Sequence, residues 1–272
     1  MALQRLDKVI ASTGRWSRRE VKELVRQGRI TVNGAVAKIA EEKADPEAAD
    51  ICVNGERLIW RQYTWVMLNK PAGYLSATED GRGKTVLDLL PPELQKQGLF
   101  PVGRLDKDTE GLLLLTNEGG LAHDLLSPKK HVDKEYYLRV EGCLTAEDCA
   151  ACAEGLRLDD GLQCQPAELV LLTAGAESEA HITIREGKFH QIKRMMAYLG
   201  KSVLYLERVR MGNLTLDPLL SRGAYRFLTP EEQAGLGNLA RENGNNRNLP
   251  KKGNDFLLKK EKISCNSTKK SL

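Results

Sequence analysis

Aromatic residues make up only 5% of this 272-residue sequence. Long apolar runs are missing: the longest uninterrupted aliphatic stretch is Leu112 to Leu115. A bilayer crossing needs about 20 apolar residues, which excludes a membrane-spanning helix, and the opening MALQRLDKVI has Asp7 and no apolar core for a signal peptide. Cysteine is sparse, six residues without a framework spacing, so a disulfide scaffold is excluded and a reduced, cytoplasmic chain is expected. A strong charge of one sign is missing too, with 41 Lys plus Arg against 37 Asp plus Glu. Any case for nucleic-acid binding must therefore rest on where the charges sit.

Four cysteines cluster as Cys143, Cys149, Cys152 and Cys164, and a Cys-x-x-Cys invites a zinc site. Structural zinc sites usually bring two close pairs, and only one is present. The pair falls in TAEDCAACAEGL, an Ala-rich helical segment in which cysteine serves as a small apolar residue. No metal is expected. The length gives a soft expectation of two domains.

The charges are unevenly placed. Residues 5 to 29 carry Arg5, Lys8, Arg15, Arg18, Arg19, Lys22, Arg26 and Arg29 against Asp7, Glu20 and Glu23, whereas residues 30 to 60 are net acidic. Residues 241 to 272 hold nine basic and three acidic side chains in an Asn-, Lys- and Ser-rich run without apolar period. Residues 240–272 therefore read as a disordered basic tail.

Leu6, Val9 and Ile10 recur at helical spacing until Gly14 breaks the pattern, and Ser17-Arg18-Arg19-Glu20 matches the capping box of a second helix. That helix buries Val21, Leu24 and Val25 and sends Arg18, Lys22, Arg26 and Arg29 to other faces, a cationic surface suited to phosphate. RITVNGAVAKI and ICVNGERLIW each centre on Asn-Gly, the strongest short-range signal for a tight hairpin. This layout, with R-L-D-K, S-R-R and G-R-I-T-V-N-G at these spacings, resembles the S-four RNA-binding module over residues 1 to 58. The resemblance implies RNA contacts by the basic helices, at Arg5, Lys8, Arg18, Arg19, Lys22 and Arg26, through shape and phosphate more than base edges.

After a short linker at 59–62, residues 63–239 alternate strands with short helices. YTWVMLNKP, GLLLLTN, KEYYLRV, LVLLT, HITIRE and SVLYLERV read as strands, and Thr229-Pro230 opens a last helix. An α+β domain with a large mixed, mostly antiparallel sheet fits this order. The most informative stretch runs from Gly103 to Gly111, a polar loop feeding the apolar strand Leu112 to Leu115. Asp106, Asp108, Glu110 and Gly111 reproduce part of an EF-hand loop. The twelfth position is Asn117 instead of a bidentate Glu, and LLLLT makes a poor exiting helix, so calcium is rejected.

G-R-L-D-x-D-T-x-G-L-L-L-L-T-N-E-G is similar to the signature loop of the pseudouridine synthases that modify ribosomal RNA. Three further segments match in order: Asn69 to Gly73, Lys134-Glu135-Tyr136, and Glu186 to Met195. The resemblance implies an enzyme that isomerises a uridine of ribosomal RNA to pseudouridine with Asp106 as the catalytic aspartate. An S-four module ahead of such a domain is the layout of the subfamily acting on single sites. The H-Q-I-K-R-M form, with His190, leans to the small-subunit member; the same reaction on large-subunit RNA and a non-catalytic ribosome-assembly protein are the alternatives.

The reaction breaks an N-glycosidic bond, turns the uracil and joins C5 to the ribose, with no redox change, so neither cofactor nor metal is called for. It asks for one carboxylate at the ribose, as nucleophile or as base; sequence does not separate the two. That carboxylate, desolvated under a base, needs a cation. In the helix HQIKRMMAYL, Ile192, Met195, Met196 and Leu199 form one apolar stripe. Lys193 then lies at its edge and Arg194 on the far side. Lys193 is thus the expected partner of Asp106, and Arg194 a phosphate contact. By the K-x-Y match Tyr136 is the ring expected to stack on the extracted uracil. Arg104 is expected to hold the space or phosphate beside it, with Leu206, and Arg208 after it, at the pocket floor. The expected partner is ribosomal RNA or a partly assembled subunit, bound by a monomer and away from membranes.

Overall fold

The computed structural model describes residues 3–245. Its amino-terminal unit follows from its caps and turns. Helices Leu6–Ser12 and Arg18–Arg26 pack as a pair. The Glu20 amide donates to Ser17 Oγ at 3.2 Å and the Ser17 amide to the Glu20 carboxylate at 2.6 Å, so the capping box satisfies two donors that the helix start would leave orphaned. Val9, Ile10, Val21 and Val25 meet Ile30, Ile51 and Val53 in one small core. The latter belong to a four-stranded antiparallel sheet in the order Ala35–Val36, Ile30–Val32, Ile51–Val53, Glu56–Arg57. Both of its hairpins turn at Asn-Gly pairs with positive φ, 52° and 81° at Asn33-Gly34 and 56° and 81° at Asn54-Gly55. Positive φ at both central residues is what the tight turn requires.

The second unit is a nine-stranded sheet whose main path runs Glu168–Thr173, Glu177–Ile184, Lys134–Glu141, Ser202–Met211, Glu110–Thr116, Trp65–Lys70, Tyr225–Phe227. Every pairing is antiparallel except that of Glu110–Thr116 with Ser202–Met211. The uninterrupted apolar run at Leu112–Leu115 is explained by cores on both faces of its strand. Val66, Leu68, Leu113 and Leu115 enter the core that also holds Tyr136, Leu138, Met195 and Met196. Trp65, Met67, Leu112 and Leu114 enter the opposite core, closed by Leu125 and Leu236 from helices Gly119–Leu126 and Pro230–Asn245. Cys152 and Cys164 pack in the first core, and burial pushes the Cys152 thiol up to about 12.

The last helix is capped as expected, with the Thr229 amide donating to the Glu232 carboxylate and the Glu232 amide to Thr229 Oγ1. It runs to Asn245, past Leu239 where the apolar period stops. The rest of the expected basic tail lies outside the described residues. Three short strands, Phe100–Pro101, Leu214–Thr215 and Tyr225–Phe227, had no periodicity to announce them.

Gly14 joins the two units. It adopts φ +78°, and a Cβ there would stand 1.9 Å from the carbonyl oxygen of Glu93. Glycine therefore lets the helix pair press against the second unit, where Gln97 donates to the Thr13 carbonyl at 2.9 Å and accepts from Thr64 Oγ1 at 2.8 Å. Gly14→Ala combines positive-φ strain with a backbone clash, a cost of about 1–3 kcal/mol or more. Limited proteolysis in the 57–63 connection is expected to accelerate in this variant while the main sheet keeps its thermal transition. Cleavage at the parent rate would show that the contact does not hold the units together.

Candidate active site

The loop from Gly103 to Thr109 is held from below by one side chain. Lys70 ends its strand with no exposed surface. Its ammonium donates to the carbonyls of Thr109 at 2.8 Å, Asp106 and Pro71 at 3.1 Å, and Lys107 at 3.3 Å. Burial pushes its pKa down to about 8, opposed by the charges of Asp108, Glu110 and Asp106. Ser76 Oγ adds a second clamp, donating to the Leu105 carbonyl at 2.9 Å and accepting from the Leu105 amide at 3.1 Å.

The loop can approach the parallel neighbour strand because Gly111 has no side chain. At φ +95°, a Cβ would meet the Arg208 carbonyl oxygen at 2.3 Å. Arg208 is buried and donates from Nε to the Leu112 carbonyl at 2.7 Å. It thus braces the strand after the loop, and the expectation that it lines the pocket floor is corrected. Arg208 Nη2 and Thr109 Oγ1 are buried without a hydrogen-bond partner among the described residues.

One small open pocket is lined by Arg104, Asp106, Tyr136, His190, Lys193 and Leu206, among others. Residues far apart in sequence thus converge there: Asp106 from the loop, Tyr136 and Leu206 from the inner face of neighbouring strands, and Lys193 from the helix Gln191–Tyr198. Tyr136 is 7% exposed and Leu206 6%, whereas Arg104 stands exposed at the mouth. Lys193 Nζ lies 3.3 Å from Asp106 and 2.5 Å from Asp108, so the expected ion pair is present but shared. Partial burial would lower the Lys193 pKa; the hydrogen bond to Asp108 and the charge of Asp106 hold it above its usual value. The same Lys193 hydrogen bond holds the Asp108 carboxyl below the ordinary range.

His190 was read only as a family marker, yet it reaches the site. It takes a left-handed backbone (φ 50°), stacks on Phe189 with ring centroids 3.8 Å apart, and brings Nε2 to 3.7 Å from Asp106. Lys70 entered the sequence reading only within the Asn69 to Gly73 match, and Asp108 only within the rejected calcium loop. Neither was given a part in the site, because the contacts that place them there come from distant residues.

Arg194 is not on a free outer face. The segment carrying Asp160 folds over that side of the helix and pairs with its guanidinium. Arg194 is 29% exposed against 25% for Lys193. On the amino-terminal unit, Arg5, Arg18, Arg19, Lys22 and Arg26 line one groove together with Asp7, Glu20 and Glu23. Lys8 is exposed and does not line it. Arg5 is drawn to the buried Asp7 at 2.8 Å and Lys22 to Glu41 at 2.9 Å.

The chain matches two family models, the S4 domain over residues 4–50 and RNA pseudouridylate synthase over residues 64–198. It is 46% identical to an uncharacterized RNA pseudouridine synthase of Bacillus subtilis over 84% of this chain and 96% of that one. It is 38% identical to the ribosomal small subunit pseudouridine synthase A of Salmonella typhimurium over 86% of this chain and 100% of that one. Among solved structures, a crystal structure of a pseudouridylate synthase superposes with a TM-score of 0.61 at 35% identity, covering 86% of this chain and 99% of that one.

The buried lysine makes the site sensitive to base. Between about pH 8 and the usual 10.5 the folded chain holds fewer protons at Lys70 than the unfolded chain, as it does at Lys134, also pushed down to about 8 by burial. Stability attributable to these groups therefore rises with pH across that window. A neutral amine has one proton fewer to give the loop carbonyls, so turnover is expected to fall over the same range. Urea midpoints and turnover measured from pH 7 to 10 check this; in Lys70→Met the Lys70 share of the stability gain should vanish. An identical pH dependence of the midpoint in the parent and in Lys70→Met would contradict the assignment, since the raised Cys152 thiol opposes the lysines in both proteins.

Proposed function

Because the chain belongs to the RNA pseudouridylate synthase family, we propose that it converts one specific uridine of small-subunit ribosomal RNA to pseudouridine. The observation that carries this reading is the single pocket shared by Asp106, Tyr136, Lys193 and Leu206. The small-subunit substrate is favoured by relatives of that name in Salmonella typhimurium and Pasteurella multocida, each 38% identical over nearly their whole length.

In this reading the target nucleotide leaves its stack and its uracil lies on Tyr136, whose burial beside Leu206 makes a firm apolar seat. Asp106 acts at the ribose, as nucleophile at the anomeric carbon or as base on the sugar. The bond from C1′ to N1 breaks, the bond from C1′ to C5 forms, the C5 proton leaves and N1 gains one, so nothing is oxidised or reduced. Lys193 offsets the Asp106 charge, and Asp108 fixes that ammonium. Arg104 at the mouth holds backbone phosphate or the space of the flipped base. Arg194 joins RNA only by leaving Asp160, which an exposed ion pair permits at small cost.

The groove of Arg5, Arg18, Arg19, Lys22 and Arg26 supplies affinity through phosphates. No helix among the described residues is long and apolar enough to cross a membrane, and a monomer working on ribosomal RNA or a partly assembled subunit in the cytoplasm fits the reading.

Unmodified small- and large-subunit RNAs, incubated with the purified chain without added cofactor and mapped by carbodiimide-dependent primer-extension stops, test the proposal. One new site in small-subunit RNA is expected, lost in Asp106→Asn by a factor of about 10²–10⁴ or more with RNA binding retained. A site only in large-subunit RNA would move the substrate. Retained turnover in Asp106→Asn would remove Asp106 from the chemistry, and no product in either RNA or in assembling subunits would favour a binding protein.

A further inference from the structure

We propose that the cleft between the two units is a second RNA-binding site, which takes a single-stranded segment flanking the reacting uridine; this rests on the RNA-modifying reading above. The cleft is open and is lined by Arg15, Arg57, Ile59, Trp60, Arg61 and Phe227, among others, with Glu93 the only acidic residue in its lining among the described residues.

Its composition is not that of a plain connection between domains. Such connections are usually polar, yet here Ile59 is 71% exposed and Phe227 37%. Trp60 packs against the small core and its Nε1 donates to Ser12 Oγ at 3.1 Å. The Arg61 guanidinium sits 4.6 Å over the Phe227 ring, and Arg15 covers Trp16 at the same distance. Cations interleaved with fixed π surfaces are what a single strand needs, phosphates on the former and bases on the latter. Arg15 and Arg57 are engaged by Glu56 and Asp50, but these pairs are exposed on both sides and yield readily to phosphate.

Aromatic and arginine side chains also mark protein interfaces; position favours RNA. Phe227 pairs with Val66 in a buried strand whose far end, Lys70, holds the Asp106 loop. Four residues of strand span about 13 Å, a distance a few nucleotides cover. On the other side, Arg15 lies three residues before Arg18 of the basic groove. A strand running from groove to pocket therefore crosses the cleft.

Affinity of the full chain for a ribosomal RNA fragment containing the target, measured across a salt series, decides the proposal. The double variant Arg57→Ala/Arg61→Ala should bind about 10–100-fold more weakly at physiological salt and show a salt slope reduced by about 1 to 2. Phe227→Leu should lose about 5–100-fold with the slope unchanged, and Phe227→Tyr should restore binding. Parent affinity and slope in all three variants would overturn the proposal. So would a loss seen with ribonucleoprotein particles and not with naked RNA, which would give the cleft to a ribosomal protein. Product mapping in the parent is read separately, so failure of the modification reading is distinguishable from failure of the cleft.

Discussion

The Lys70 ammonium, wholly buried at the end of a central strand, gathers the carbonyls of Pro71, Asp106, Lys107 and Thr109. A charge in such a place is costly unless every proton is used. Here the acceptors belong to the loop that carries Asp106, so the cost of burial is offset only when that loop is closed. The site and the fold are stabilised by the same contacts. Gly111 and the buried Arg208 complete the arrangement from the parallel strand, because only a residue without Cβ fits against the Arg208 carbonyl.

On this base the sheet sorts chemistry by strand alternation. Leu138 and Tyr136 point inward to one core while Glu135 and Tyr137 face away, where Glu135 accepts from Arg210 at 2.7 Å and pairs with His181. The same alternation puts Leu206 inward beside Tyr136, and the helix Gln191–Tyr198 closes over them with Ile192, Met195 and Met196. Lys193 then reaches Asp106 from a helix anchored by its neighbours. The family relationship agrees with this architecture over most of the chain.

Much of this was legible in the sequence. The capping boxes at Ser17 and Thr229, the two Asn-Gly turns and the six long strands each carry a local signal, and local signals survive folding. What stayed hidden depends on partners distant in sequence. Nothing near Lys70 says that it points inward, because three of its four acceptors lie almost forty residues away. Asp160 could not be seen to meet Arg194, so helix periodicity alone left that guanidinium free. The sharing of Lys193 between Asp106 and Asp108 follows from how the loop curls, which a motif does not encode. The three short strands form because longer neighbours offer an edge, a context that two or three residues cannot announce.

The central claim, that Lys70 holds the Asp106 loop in its working shape, is tested most directly by amide hydrogen exchange at Gly73, Leu105 and Thr109 in the parent and in Lys70→Met. These amides donate to Lys107, Ser76 and Asp106. The account predicts slow exchange in the parent and exchange about 10–100-fold faster at these three positions in the variant, with strands Lys134–Glu141 and Glu177–Ile184 unchanged. Equal protection of the loop in both proteins would contradict it.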